Sequence, residues 1–180
     1  MSERDFEQVG EPERVWQGHV VSVDEVTFRF VEDGTEVRRE VVRHPGAVAT
    51  VAVDDEHVWL VLQPRQAVGE PDLLEIPAGK LDLDGESPED NARRELAEEI
   101  GKRAERFELL TSFYTSCGVM DEEIHVYLAT ELSDAHAEGE EDERIEVVAW
   151  PLERLDEAIA RTKDAKTLIG LLLLKQRLPI

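Results

Sequence analysis

Three glutamates in one short segment have the types and spacing to do chemistry. In Arg94-Glu95-Leu96-Ala97-Glu98-Glu99-Ile100-Gly101, Glu95 and Glu99 stand four residues apart, and Glu98 lies three beyond Glu95. On a helix these spacings put all three carboxylates on one face. Like charges at such spacings destabilise a helix, so a positive partner is required. Arg93 and Arg94 lie within reach on the same segment, and a divalent cation is the stronger answer. With only oxygen donors and no His or Cys nearby, the set selects a hard ion, Mg²⁺ or Mn²⁺, over Zn²⁺.

The segment before these acids tells how they are positioned. Ser87-Pro88-Glu89-Asp90 has the marks of a helix start: Ser87 as N-cap, Pro88 at the first helical position and acids in the first turn. Gly101 can end the helix in the left-handed conformation, so the helix is expected from Pro88 to about Ile100. Upstream, Val15 to Val23, Val26 to Phe30 and Glu36 to Arg43 have strand character, with a turn at Asp33-Gly34. Ala47 to Val53 and Val58 to Gln63 read as a second hairpin, and Leu73 to Ile76 as a short strand. Downstream, strands are expected at Phe107 to Tyr114, Glu123 to Thr130 and Ile145 to Trp150. Helices follow at Pro151 to Arg161 and Ala165 to Arg177, the last carrying Leu168, Leu171, Leu172 and Leu174. Residues 132–144 form an acidic loop. This order is a mixed α/β pattern with a partly antiparallel sheet.

At 180 residues and 41% apolar composition, the chain is the size of one domain and has enough apolar material for a core. Its formal net charge of −22 argues against gripping nucleic acid or an anionic membrane through a basic face. A nucleotide substrate stays open, because a metal ion can supply the missing positive charge. The bases are mostly Arg, and a high-salt setting and Arg-favouring codons account for that equally well. One cysteine, Cys117, forms no intramolecular disulfide and fits a reducing cytoplasm. The first ten residues lack a signal-peptide apolar run. The five histidines are scattered without zinc spacing, no P-loop is present, and Cys117 has no evident catalytic partner.

Taken as a whole, the segment from Gly79 to Gly101 resembles the Nudix box. That pattern is Gly, five residues, Glu, seven residues, Arg-Glu, an apolar residue, any residue, Glu-Glu, any residue, Gly and an apolar residue. Gly79, Glu86, Arg94, Glu95, Leu96, Glu98, Glu99 and Gly101 fill it. Two positions depart: six residues separate Gly79 from Glu86, and Lys102 holds the final apolar position. The flanks resemble the ADP-ribose pyrophosphatase branch. Leu74 to Leu81 matches the approach to the box, and Gln63-Pro64-Arg65-Gln66 matches a Gln-aromatic-Arg segment with Pro64 in place of the aromatic. Ser116-Cys117-Gly118 matches a Ser-Pro-Gly loop with Cys117 in place of the proline.

The resemblance implies an α/β (α+β) fold, a Nudix-type mixed sheet sandwiched by helices with an N-terminal antiparallel extension. Residues 1–13 are polar and read as a mobile lead-in; the resemblance implies a dimerising β-extension over 14–43 and the hydrolase domain over 44–180. It implies Glu95, Glu98, Glu99 and the Ala78 carbonyl as metal ligands for Mg²⁺ or Mn²⁺. Arg94 would hold a glutamate in place, and Gly79 and Gly101 would be permissive turn positions. Glu141 and Glu143, in an acidic stretch with Glu140 and Asp142, are the candidates for general base and distal ligand. Arg65 and Arg39 would contact phosphate, Glu75 the adenine or a ribose hydroxyl, and Gly118 the substrate loop; Trp16 could stack on the adenine or serve as core. The implied activity is hydrolysis of ADP-ribose to AMP and ribose 5-phosphate by a homodimer. The alternatives are a Nudix hydrolase of another nucleoside diphosphate derivative, such as ADP-glucose or GDP-mannose, and a non-catalytic sensor of nucleotide sugars.

Overall fold

A computed structural model describes residues 5–137 and 144–178 of the chain. It divides into two compact units, one formed by residues 1–46 and 114–123, the other by residues 47–113 and 124–180.

The first unit is built on an antiparallel sheet of β1 (Phe6–Gln17), β2 (Ser22–Phe30) and β3 (Glu36–Arg43), in that order. β1 begins at Phe6, inside the segment expected to be a lead-in. It is an edge strand exposed along most of its length, so it lacks the apolar alternation by which a strand is recognised. The β2–β3 turn falls where Asp33-Gly34 places it: the Thr35 amide donates to Asp33 Oδ1 at 2.9 Å and Gly34 has φ of 72°. Asp24 is buried on β2, where the guanidinium groups of Arg14 and Arg43 hold its carboxyl below the usual carboxylate range. The segment 114–123 joins this unit through a parallel bridge of Val42 with Met120. The Val42 amide donates to Val119 O at 2.8 Å, and Arg43 pairs with Asp121 at 3.0 Å. Gly118 therefore belongs to this unit, as does the exposed Arg39 on β3.

The second unit is a mixed sheet between helices. Its strands are β4 (Ala47–Val53), β5 (His57–Arg65), β6 (Glu70–Glu75), β7 (Ala78–Lys80), β8 (Lys102–Tyr114), β9 (Glu123–Asp134) and β10 (Glu146–Pro151). The main order is β10-β5-β4-β9-β8, with β4 and β9 parallel. β4 and β5 pair only at Ala52↔Trp59 and Val53↔Val58. Beyond that point they part. β6 then pairs with β5 from Val61 onward, and β7 pairs with β4 from Ala47 to Ala49. The Pro77 link between β6 and β7 thus sits in a split of the sheet, where its carbonyl accepts from the Thr50 amide at 2.8 Å.

The alternation of β4 explains the layers. Ala49, Val51 and Val53 join a core with Leu60, Ile76, Val126, Leu171 and Leu174. Ala52, on the opposite face, packs with Val61, Leu96 and Ile100. Helix α1 (Pro88–Ile100) covers that second face, while α2 (Leu155–Arg161) and α3 (Ala165–Arg177) contribute to the first core. Of the apolar residues expected on α3, Leu171 and Leu174 are buried, whereas Leu168 and Leu172 are exposed. Gly170 lets α3 approach the sheet: an added Cβ would lie 2.8 Å from Val51 Cγ2 and 3.1 Å from Ile76 Cδ1. Among the described residues no helix is long and apolar enough to cross a membrane.

Candidate active site

Helix α1 starts and stops where its signals say. Ser87 caps it by accepting from the Asp90 amide, and Gly101 closes it with φ of 62° and an amide turned back to Ala97 O. The apolar positions Ala92, Leu96 and Ile100 face the core, which leaves Glu95, Glu98 and Glu99 along the neighbouring strip. The sheet split delivers the other half of the site. β7 lays Ala78 and Gly79 against this strip, and the Ala78 amide donates to Glu99 Oε2 at 2.9 Å. Glu99 is 9% exposed, an unusual depth for a carboxylate.

Arg94 occupies the centre of the acidic cluster. Its Nε and Nη2 donate to the two oxygens of Glu86 at 3.1 and 3.2 Å. Its Nη1 lies 2.8 Å from Glu98 Oε2 and 2.9 Å from Glu95 Oε1. The guanidinium holds the Glu86 carboxyl below its ordinary range, and the surrounding glutamates, Glu86 foremost, raise the guanidinium in turn. One cation therefore serves three of the four box glutamates. The extra residue between Gly79 and Glu86 is absorbed at Leu83-Asp84-Gly85, where Gly85 adopts φ of 84° and the Glu86 amide donates back to Leu83 O. Glu86 still reaches Arg94, so the longer loop leaves the cluster intact.

Gly79 and Gly101 differ in what they require. Gly101 has the positive φ expected of a permissive position, but Gly79 is absent from the positive-φ residues. Its need is space: an added Cβ would overlap the Cγ, Cδ and Oε1 atoms of Glu95.

Asn91 is a supporting residue that the sequence pattern does not reveal. It is fully buried in the first turns of α1, and its Nδ2 donates to Lys80 O at 2.9 Å and Glu86 Oε2 at 2.8 Å. It thereby ties both ends of the 80–86 loop to the helix. Replacing Asn91 with Ala removes two hydrogen bonds, at about 0.5–1.5 kcal/mol each. The expected result is a loss of about 2 kcal/mol in urea unfolding, and an unchanged midpoint would show that the loop is held by other means.

A second polar cluster lies beside the first. Arg65, at the end of β5, donates from Nε and Nη2 to the two oxygens of Glu75 at 2.6 and 2.8 Å. Glu75 is wholly buried, and Lys166 of α3 bonds to its Oε2. The Arg65 side chain is 41% exposed, and its guanidinium is stabilised by Glu75 first, with Asp164 and Glu99 also contributing. Gln63, two residues before Arg65 on the same strand, is buried with its Nε2 lacking a hydrogen-bond partner among the described residues.

The structure thus brings together Ala78, Glu95, Glu98, Glu99 and Arg94, and sets Arg65 and Glu75 in the same unit. Arg39 and Gly118 belong to the other unit. Glu141 and Glu143 lie outside the described residues, as do Glu140 and Asp142. In donor type the strip of Glu95, Glu98 and Glu99 with Ala78 fits a hard divalent ion. Among the described residues no group of three or more such side chains is set to hold a metal ion, and Arg94 is bonded to Glu95 and Glu98.

The profile of the NUDIX domain matches residues 42–171. An ADP-ribose pyrophosphatase of Bacillus subtilis (strain 168) is 41% identical over 164 residues, covering 86% of this chain and 85% of its own. A methanol dehydrogenase activator of Bacillus methanolicus is 41% identical over 167 residues, covering 88% of this chain and 86% of its own. The crystal structure of an ADP compounds hydrolase matches with a TM-score of 0.82 at 25% identity, covering 98% of this chain and 96% of that one.

Proposed function

The chain belongs to the NUDIX family, and from that premise we propose that it hydrolyses the pyrophosphate of ADP-ribose to AMP and ribose 5-phosphate. One observation carries the reading: Glu95, Glu98 and Glu99 share a helical strip, with Glu99 bonded to the Ala78 amide and Arg94 holding Glu86 and Glu98. No glutamate of the box is lost, as a mere sensor would tolerate. The similarity to an ADP-ribose pyrophosphatase over most of both chains supports the choice of substrate.

In this reading Glu95, Glu98, Glu99 and the Ala78 carbonyl would hold Mg²⁺ or Mn²⁺, which would neutralise diphosphate charge and lower the pKa of bound water. Arg94 keeps the glutamates oriented through charge-assisted bonds. Arg65 and Arg39 contact the diphosphate, and Gly118 belongs to the substrate loop. A carboxylate of the acidic stretch, Glu141 or Glu143, takes the proton from the attacking water. The water oxygen bonds to one phosphorus, the bond from that phosphorus to the bridging oxygen breaks, and the leaving phosphate keeps the electron pair.

The N-terminal sheet serves as the dimerisation extension. Exposed Phe6, Val15, Trp16 and Val20 give it apolar surface that a second copy of the chain would cover. A reducing cytoplasm suits the exposed, unpaired Cys117.

Product analysis with ADP-ribose, ADP-glucose, GDP-mannose and a nucleoside triphosphate tests the function, run with Mg²⁺ and with chelator. The expected result is metal-dependent release of AMP, fastest from ADP-ribose. Preference for another substrate would keep the chemistry and change its target. Binding of ADP-ribose without turnover of any compound would overturn the enzymatic reading.

A further inference from the structure

We propose that Lys166 is a positioning residue of the diphosphate site: through the buried carboxylate of Glu75 it fixes the guanidinium of Arg65 toward the substrate. This rests on the functional reading above.

Glu75 is 0% exposed, so its charge must be met entirely from within the protein. Arg65 meets it with one edge, two parallel bonds at 2.6 and 2.8 Å, the geometry that fixes a guanidinium in its plane. Lys166 adds a second cation on Oε2. Lys166 is itself held: its Nζ lies 3.0 Å from Asp164 Oδ2. Asp164 is the N-cap of α3, accepting from the Thr167 amide at 2.9 Å and the Thr167 hydroxyl at 2.6 Å. The chain of contacts thus runs from the rigid start of a helix through Lys166 and Glu75 to Arg65.

The arrangement sets the direction of the Arg65 side chain, because Glu75 is held by Lys166 as well as by Arg65 and cannot swing freely with its partner. Among the described residues Arg65 Nη1 has no hydrogen-bond partner, and the side chain is 41% exposed. The guanidinium is near enough to the box to be stabilised by Glu99.

Lys166 also helps to meet the buried charge of Glu75, so its loss costs stability as well, and kinetic constants separate positioning from support.

The experiment is a double-mutant cycle of Lys166→Met and Arg65→Ala, read as KM and kcat for ADP-ribose. With Arg65 present, Lys166→Met should raise KM about tenfold or more, the effect of letting a positioned group drift. Its kcat should change far less. With Arg65 already replaced, Lys166→Met should leave KM nearly unchanged, since the group it positions is gone. Equal effects on KM in both backgrounds, or none in the first, would overturn the role while the function stands. A wild type that turns over no nucleoside diphosphate sugar would overturn the function and the role together. If Lys166→Met does not fold, Lys166→Gln is read in the same cycle with the same outcomes.

Discussion

Glu99→Gln should abolish most of the turnover while leaving the protein as stable as before. The side chain keeps its shape, and the remaining carbonyl oxygen of Gln can still accept from the Ala78 amide, which Glu99 now does at 2.9 Å. What disappears is a negative charge in a strip where Glu95, Glu98 and Glu99 repel one another. Loss of that charge weakens the hold on a divalent ion. Replacing residues that only support a metal ligand lowers activity about 10–100-fold, so replacing a ligand should exceed about 100-fold in kcat. Steady-state assays and thermal unfolding in the absence of metal check both halves. Activity within about threefold of wild type would remove Glu99 from the ion site.

Gly79→Ala should have the second largest effect, for a different reason. Its backbone does not need the freedom of glycine, since its φ is not positive. The added methyl would occupy the space of the Glu95 side chain down to Cγ, so a swing of the carboxylate tip cannot relieve the overlap. Glu95 must leave its rotamer, or β7 must move off α1. Either outcome misplaces a ligand, and a misplacement of about 1 Å can cost about 100-fold in rate. Overpacking of this kind costs about 1–3 kcal/mol, so a folded but nearly inactive protein is expected. Steady-state kinetics and urea unfolding on one preparation check this. Near-normal kcat would mean that Glu95 can serve from another position.

The elements that carry the site were legible because their signals are local. Ser87, Pro88 and Gly101 bracket α1, and the leucine spacing marks α3, so both helices match the sequence reading at each end. The box glutamates were legible because the helical repeat alone puts them on one side. Other features depend on distant partners. Lys166 looks like any surface lysine of a helix until folding brings it to Glu75, 91 residues away. Asn91 matters because it meets Lys80 and Glu86, which no periodicity encodes. The space requirement of Gly79 exists only when β7 lies on α1. Most of β1 escaped notice because both of its faces are polar or exposed, and the strand read at Val15 to Val23 instead spans the end of β1, a turn at Gly18 and the start of β2; the union of 114–123 with the N-terminal sheet follows from pairing at Val42.

The link between β6 and α3 bears on how the protein is made. Beyond β5, β6 is completed by side chains from the C-terminal region: Thr162 Oγ1 donates to Leu74 O at 2.8 Å, and the Ile76 amide donates to Thr167 Oγ1 at 2.9 Å. These partners are 88 and 91 residues downstream. A ribosome adding about 5–20 residues per second needs several seconds to cover that distance. During that interval the nascent chain carries an unfinished strand edge, which invites misassociation. The cluster of Arg65, Glu75 and Lys166 is therefore among the last parts of the molecule to be assembled.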